Sequence, residues 1–425
     1  MGIDFLPEKW QQRAKEEGFS QATLIQEQVF SQLNQGESLV GVAPTGTGKT
    51  LAYLWPTLLN VQPKKGNQLL VLVPSQELGV QVTNVAKAWT GNLGLQVQSL
   101  IGGANKKRQM EKLKAKPEVL VGTPGRLVEL IQEKKVKAAH IQTVILDEAD
   151  QLLQKEALGF MQSIIKSVPN TSQYAFFSAT GTNALPEIKQ LFQQELPVID
   201  VTKEDHHLQQ VDHYYLVYPA RRTVDVLRRL GHVDNFQGLV FFNEVQDLGS
   251  AVEKLQYHHL PVASLASDQG KQDRKQALEN FRQQKIVELL TTDVASRGLD
   301  IADLYYVVNT EVPNSKESYL HRAGRIGRMG KAGAVITIVQ EDTLSDLKKI
   351  ANNLELSLQE IYLYEGQLTT EAPTKSEIPK KKVKTKPKTQ QKKKDQTKKP
   401  KKRRKNKKIK VLLKIRLLLP DVKMM

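Results

Sequence analysis

Short, near-continuous apolar runs alternate along most of this chain with longer stretches whose apolar residues recur every three or four positions. In the first half the runs fall at 39–43, 69–74, 119–122, 144–147 and 174–178, with helical patterns such as 76–90 and 106–115 between them. A second series begins after Gln210, with runs at 239–243, 262–265, 287–291, 306–310 and 334–339 and helix-like stretches including 271–282. Runs without polar alternation are what strands of a parallel sheet need when helices cover both faces. Two α/β units in series are expected, joined by a polar segment around 201–210. The pattern predicts a first domain over 1–203, a linker at 204–210, a second domain over 211–366 and a tail over 367–425.

Composition changes this picture at one end only. The chain has 425 residues, 40% of them hydrophobic, with 62 Lys+Arg, 45 Asp+Glu and no cysteine. Disulfides, thiolate metal sites and cysteine nucleophiles are therefore excluded. The start lacks a basic region followed by an apolar run, and no apolar stretch approaches ~18 residues, so neither a signal peptide nor a membrane span is expected. A net charge of +17 suggests a nucleic-acid binder, but its location matters more than its sum. From Gln367 onward there are 23 basic and 4 acidic residues, which leaves 39 and 41 for the preceding 366. The body is near neutral and the basicity is a tail. Its Lys-, Thr-, Gln- and Pro-rich composition predicts disorder.

Two sites carry chemistry in the first half. Ala43-Pro44-Thr45-Gly46-Thr47-Gly48-Lys49-Thr50 follows an apolar strand and precedes a helical stretch. Glycines in such a loop let backbone N–H groups converge on phosphate at a helix N-terminus. Lys49 is placed to reach β- and γ-phosphates and Thr50 to offer a hydroxyl to Mg²⁺; Ala43 stands where the general pattern has its first glycine. About 100 residues on, Asp147-Glu148-Ala149-Asp150 ends another strand, facing the crevice where open α/β sheets bind ligands. Hydrolysis needs one carboxylate for Mg²⁺ and another to orient water, roles suited to Asp147 and Glu148.

With these sites placed, the sequence resembles a DEAD-box ATP-dependent RNA helicase over about residues 5–345. Gly18-Phe19 followed by Thr23-Leu24-Ile25-Gln26 resembles the adenine-reading motif, with Phe5 or Trp10 packing nearby. Ser178-Ala179-Thr180 resembles the coupling motif, and Thr292-Asp293, Arg297-Gly298-Leu299-Asp300 and His321-Arg322-Ala323-Gly324-Arg325-Ile326-Gly327-Arg328 follow in order. The resemblance implies two tandem RecA-like domains with parallel sheets, with ATP and Mg²⁺ as cofactors. It implies Phe19, Gln26, residues 43–50 and Asp300 as nucleotide contacts, with Thr50 and Asp147 at the metal. Lys49, Asp147, Glu148, Arg325 and Arg328 are implied as catalytic, the arginines supplying guanidinium groups to the γ-phosphate on closure. Asp150, Ser178, Thr180 and His321 are implied in coupling.

RNA contacts are implied for Pro74, Gln76, Gly102, Gly103, Thr123, Pro124, Arg126 and Thr292, mostly through the sugar–phosphate backbone and so indifferent to sequence. The chain departs from the family pattern at Ala22, Gln76 (family arginine), Gly79, Ala266-Ser267 and Lys271, which implies a weaker RNA face beside a complete ATPase apparatus. Local, non-processive duplex opening by a monomeric cytoplasmic core is expected, and ribosome assembly, RNA decay and cold adaptation all remain open, as do ribosomal or other ribonucleoprotein partners. An ATP-gated RNA clamp and a DNA translocase are the alternatives. Without aromatics, the lysine-rich tail is expected to tether RNA electrostatically or merely to solubilise. Residues 409–425 turn abruptly apolar and read either as an amphipathic helix or as a shifted reading frame.

Overall fold

The computed structural model describes residues 2–19, 21–179, 184–192, 195–202, 211–266, 269–296, 301, 304–327 and 332–372. The expected site residues Thr180, Asp300 and Arg328, the linker 204–210 and the tail from 373 onward lie outside them. The first half builds a seven-stranded sheet from β1 (Leu39–Val42), β2 (Leu69–Leu72), β3 (Val97–Leu100), β4 (Val119–Gly122), β5 (Thr143–Asp147), β6 (Gln173–Ser178) and β7 (Val198–Asp200), in the order β3-β4-β2-β5-β6-β1-β7. The second uses β8 (Asp212–Val217), β9 (Gly238–Phe242), β10 (Val262–Leu265), β11 (Glu288–Thr292), β12 (Tyr306–Asn309), β13 (Ala334–Val339) and β14 (Leu358–Glu360), in the order β10-β11-β9-β12-β13-β8-β14. Every pairing is parallel. Raising each strand number of the first sheet by seven reproduces the second, so the two halves share one topology.

Helices cover both faces of each sheet. In the first, Val71, Ile145 and Phe177 pack into one apolar layer while Leu70, Val144 and Phe176 pack into the opposite one. Residues of one strand thus alternate between two dry layers, which explains the unbroken apolar runs. Three tryptophans anchor the N-terminal helix Glu8–Glu16: Trp10 and Trp55 each meet Trp89 edge-on, at 5.7 and 5.2 Å. Among the described residues no helix is long and apolar enough to cross a membrane.

The second half is organised around a fully buried arginine. Arg322 donates to both carboxylate oxygens of Asp293 at 2.7 Å, to Asn243 Oδ1 at 2.7 Å and to Asn309 Oδ1 at 3.2 Å, with its guanidinium over the Phe241 ring at 5.2 Å. It therefore joins the ends of β9, β11 and β12, and its cost of burial is offset by a planar bidentate partner.

The ordered chain also runs past the expected tail start. Tyr362–Tyr364 (β15) and Gln367–Thr369 (β16) form an antiparallel hairpin joined by Glu365 and Gly366, whose φ values of +47° and +81° suit a two-residue primed turn. Charge counting placed Gln367 in the tail because the hairpin's own signal is only eight residues long.

Glu288, the first residue of β11, has no solvent exposure, and neither carboxyl oxygen has a hydrogen-bond partner among the described residues. Burial pushes its carboxyl well above the ordinary value of 4.5. The folded state therefore keeps the proton that the unfolded chain releases above that value, and stability falls as pH rises from there. Glu288→Leu should raise the thermal midpoint at pH 8. The gain should shrink toward pH 4.5 in melts followed by circular dichroism; a pH-independent gain would show that ionisation is not the cause.

Candidate active site

The nucleotide end of the site begins with a turn. Gly18, at φ +84°, ends the first helix and leads through half-buried Phe19 to the helix Leu24–Asn34, whose first turn carries Gln26. Gln26 Oε1 accepts from Thr23 N at 3.0 Å and its Nε2 donates to Gly48 O at 3.1 Å. This buried amide thus joins the helix start to the glycine-rich loop. Gly48 has φ +83°, and a Cβ there would come within 2.3 Å of Gln26 Nε2, so both backbone and contact demand glycine.

The loop leaves β1 and enters the helix Lys49–Leu59, on which Lys49 is the first residue. Lys49 Nζ donates to Ala43 O at 2.7 Å and Pro44 O at 2.8 Å, and Thr47 Oγ1 donates to Pro44 O at 2.8 Å. Burial pulls the Lys49 ammonium's pKa down, opposed by the nearby charges of Asp147, Glu148 and Asp150.

Those carboxylates sit at the end of β5. Asp147 is buried; its Oδ1 accepts from Glu148 N at 3.0 Å and its Oδ2 from Tyr53 Oη at 2.8 Å. Glu148 adopts φ +52°, a left-handed turn that a non-glycine residue occupies only under tertiary constraint. Its Oε2 accepts from Gln151 Nε2 at 2.8 Å. Burial, reinforced by the Asp147 charge, pushes the Glu148 carboxyl up to about 7, while Arg325 acts in the opposite sense. Asp150 Oδ1 accepts from Ser178 Oγ at 2.9 Å, tying this turn to the end of β6.

The helix Lys316–Ala323 of the second half approaches this cluster. His321 Nε2 lies 4.0 Å from Asp150 Oδ2, and Arg325 is nearly buried, with its charge felt at both Glu148 and Lys49. Thr45 Oγ1 lies 3.4 Å from Leu320 O. A Cβ on Gly324 would fall 1.5 Å from Thr45 Oγ1 and 2.6 Å from Thr45 Cβ. Gly324 has no unusual backbone angle to justify it; glycine is required there because the phosphate-type loop rests on it. Lys49, Asp147, Glu148, Asp150, Ser178, His321 and Arg325 are thus gathered in one place.

The expected RNA-facing residues form a second group. Gln76 opens the helix Gln76–Thr90 and lies against Gly103, where an added Cβ would be 2.6 Å from its Oε1. Gly102 N donates to Thr123 Oγ1 at 3.2 Å, and Pro124 is the first residue of the helix Pro124–Gln132. Arg126 is turned inward: it donates to Gln109 Oε1 at 3.0 Å and Ala104 O at 3.3 Å and pairs with Glu129 at 2.9 Å. Thr292 is buried, with its Oγ1 accepting from Ala295 N at 3.4 Å. Arg126 thus braces the 104–109 segment and Thr292 closes the turn after β11. A cross-contact that reading missed sits beside Gln76. Arg274 Nη2 lies 3.3 Å from Glu77 Oε1 while its guanidinium also donates to Ala266 O and Ala295 O, both at 3.0 Å. Arg274 and Glu77 are both plain in the sequence, but their pairing spans nearly 200 positions.

Comparison with known proteins agrees with this arrangement. Residues 23–188 match the DEAD/DEAH box helicase family and residues 222–330 the helicase conserved C-terminal domain. The chain is 39% identical over 368 residues to the probable ATP-dependent RNA helicase YfmL of Bacillus subtilis, covering 86% of this chain and 96% of that one. It is 37% identical to the DEAD-box ATP-dependent RNA helicase CshC of Bacillus cereus, covering 87% and 94%. Its fold is similar to that of S. cerevisiae Dbp5 bound to RNA and ADP BeF3, with a TM-score of 0.75, 25% identity and coverage of 84% and 95%. With its paired sheets, strand-end carboxylates and arginine-bearing helix, this chain belongs to the DEAD-box family of ATP-dependent RNA helicases.

Proposed function

We propose that this chain acts as a monomeric core that closes on ATP and RNA, opens a short RNA duplex locally and releases it after hydrolysis. The observation that carries the reading is the convergence of Lys49, Glu148 and Arg325 from the two sheet-bearing halves on one buried cluster. Lys49 neutralises β/γ-phosphate charge, and Glu148 orients the attacking water. Arg325, with Arg328, delivers donors to the charge that builds on the γ-phosphate. Gln26, Phe19 and Asp300 hold the base and ribose. His321 with Asp150 and Ser178 with Thr180 relay closure between the halves.

The donor chemistry fits Mg²⁺: Thr50 supplies a hydroxyl and Asp147 a carboxylate, both hard oxygen ligands. When bound there, the ion neutralises phosphate charge. Everything else in the step is set by the chain, which excludes water through burial and fixes both Asp147 oxygens by hydrogen bonds.

RNA lies across Pro74–Gln76, Gly102-Gly103 and Thr123–Arg126, gripped through its phosphates. Because Arg126 and Thr292 are engaged internally, their part is to shape the backbone turns rather than to reach RNA with side chains.

Duplex release measured alongside ATP turnover tests the whole reading. RNA-dependent turnover with strand release supports it, turnover without release favours a clamp, and equal stimulation by DNA overturns the RNA assignment. Glu148→Gln should retain ATP and RNA binding while slowing hydrolysis by about 10²-fold or more; full turnover would remove Glu148 from its role. Gly324→Ala should slow RNA-stimulated turnover on the order of 10-fold, from the roughly 1–3 kcal/mol that overpacking costs, and Thr45→Gly in the same chain should recover part of it. Loss without recovery would mean that the clash with Thr45 is not the cause. Gln76→Arg adds one phosphate donor beside the Gly102-Gly103 turn and should lower the RNA concentration for half-maximal ATPase about fivefold, the worth of ~1 kcal/mol. An unchanged concentration would argue that Gln76 does not limit RNA affinity.

A further inference from the structure

Tyr53 lies on the helix Lys49–Leu59, three residues after Thr50 and therefore on the same side of it. The side chain is wholly buried, and its ring packs against Phe177 of β6 at 5.2 Å, which fixes the ring plane. Its hydroxyl donates to Asp147 Oδ2 at 2.8 Å. The phenol thus holds the carboxylate read above as a ligand of the divalent cation. Asp147 Oδ1 is fixed separately by Glu148 N at 3.0 Å. The carboxylate is left with one donor on each oxygen and no freedom to rotate about its terminal bond. A phenylalanine would fill the same space, so the ring accounts for packing and leaves the hydroxyl unexplained by it.

We propose that Tyr53 is a positioning residue of the cation site, whose hydroxyl holds the Asp147 carboxylate in the orientation the ion requires. Groups behind metal ligands of this kind change metal affinity without touching the metal. The proposal rests on the reading of Asp147 and Thr50 as the metal pair, and the test separates the two.

Full-length chain is titrated with a fluorescent ribose-labelled ADP, first in EDTA and then across a Mg²⁺ series, for wild type, Tyr53→Phe and Asp147→Asn. Tyr53→Phe should bind nucleotide in EDTA as wild type does, which also reports an intact fold. Its Mg²⁺ midpoint should rise on the order of 10-fold. A Mg²⁺ curve for Tyr53→Phe superimposable on wild type, with Asp147→Asn losing the response, overturns the role of Tyr53 and leaves the metal pair standing. An equal loss of affinity with and without Mg²⁺ in Tyr53→Phe also overturns it, since the hydroxyl then serves the pocket and not the ion. A wild-type Mg²⁺ response in Asp147→Asn removes the metal pair, and the proposal with it.

Discussion

Three carboxylates packed at the end of one strand set the terms for the rest of the molecule. Asp147, Glu148 and Asp150 repel one another in a site that water reaches poorly, and burial, reinforced by the Asp147 charge, pushes the Glu148 carboxyl up to about 7. Such a cluster is sustained only by cations and hydrogen-bond donors brought close. Lys49 comes from the adjoining helix, Ser178 from the neighbouring strand, and Arg325 and His321 from the other half of the chain. The requirement to balance this charge makes approach of the second half favourable and brings its arginine near Glu148 and Lys49. Specificity for a closed arrangement and catalytic power therefore have a common origin.

The sequence made most of this architecture legible because parallel strands buried on both faces cannot hide. The runs at 119–122, 262–265 and 334–339 coincide with β4, β10 and β13, and the helices at 76–90 and 271–282 coincide with the observed ones. The strands that escaped were those with mixed surroundings. β3 carries Gln98, whose amide is buried by donating to Gln109 O, and β7 is an edge strand of three residues. β8 opens on Asp212 and His213, the latter buried against the Tyr319 hydroxyl at 2.7 Å. Polar residues satisfied by distant partners read as loop when only the local pattern is visible.

The site was legible in a similar, partial way. Residue type and spacing located the phosphate loop and the acidic turn, since their chemistry is local. Spacing could not tell whether a polar side chain faces outward or is consumed at home. Arg126 and Thr292, implied by the resemblance as RNA contacts, also make internal hydrogen bonds that spacing does not show. Gly324 is explained by no local rule and only by Thr45, nearly 280 positions earlier. Tyr53, which sequence reading passes over as a core aromatic, proves to carry a hydroxyl aimed at Asp147.

Because the two sheets share one strand order, their crevices invite direct comparison. In the first, the strand ends offer carboxylates and loop amides to a molecule that comes and goes. In the second, Asn243, Asp293 and Asn309 at the strand ends are all taken by Arg322. The second half in effect carries its ligand in its own chain, present at a fixed local concentration that no change in the cell's nucleotide supply can dilute. Of two halves with one strand order, one has its strand-end carboxylates balanced by groups from elsewhere and the other satisfies its strand ends with its own Arg322.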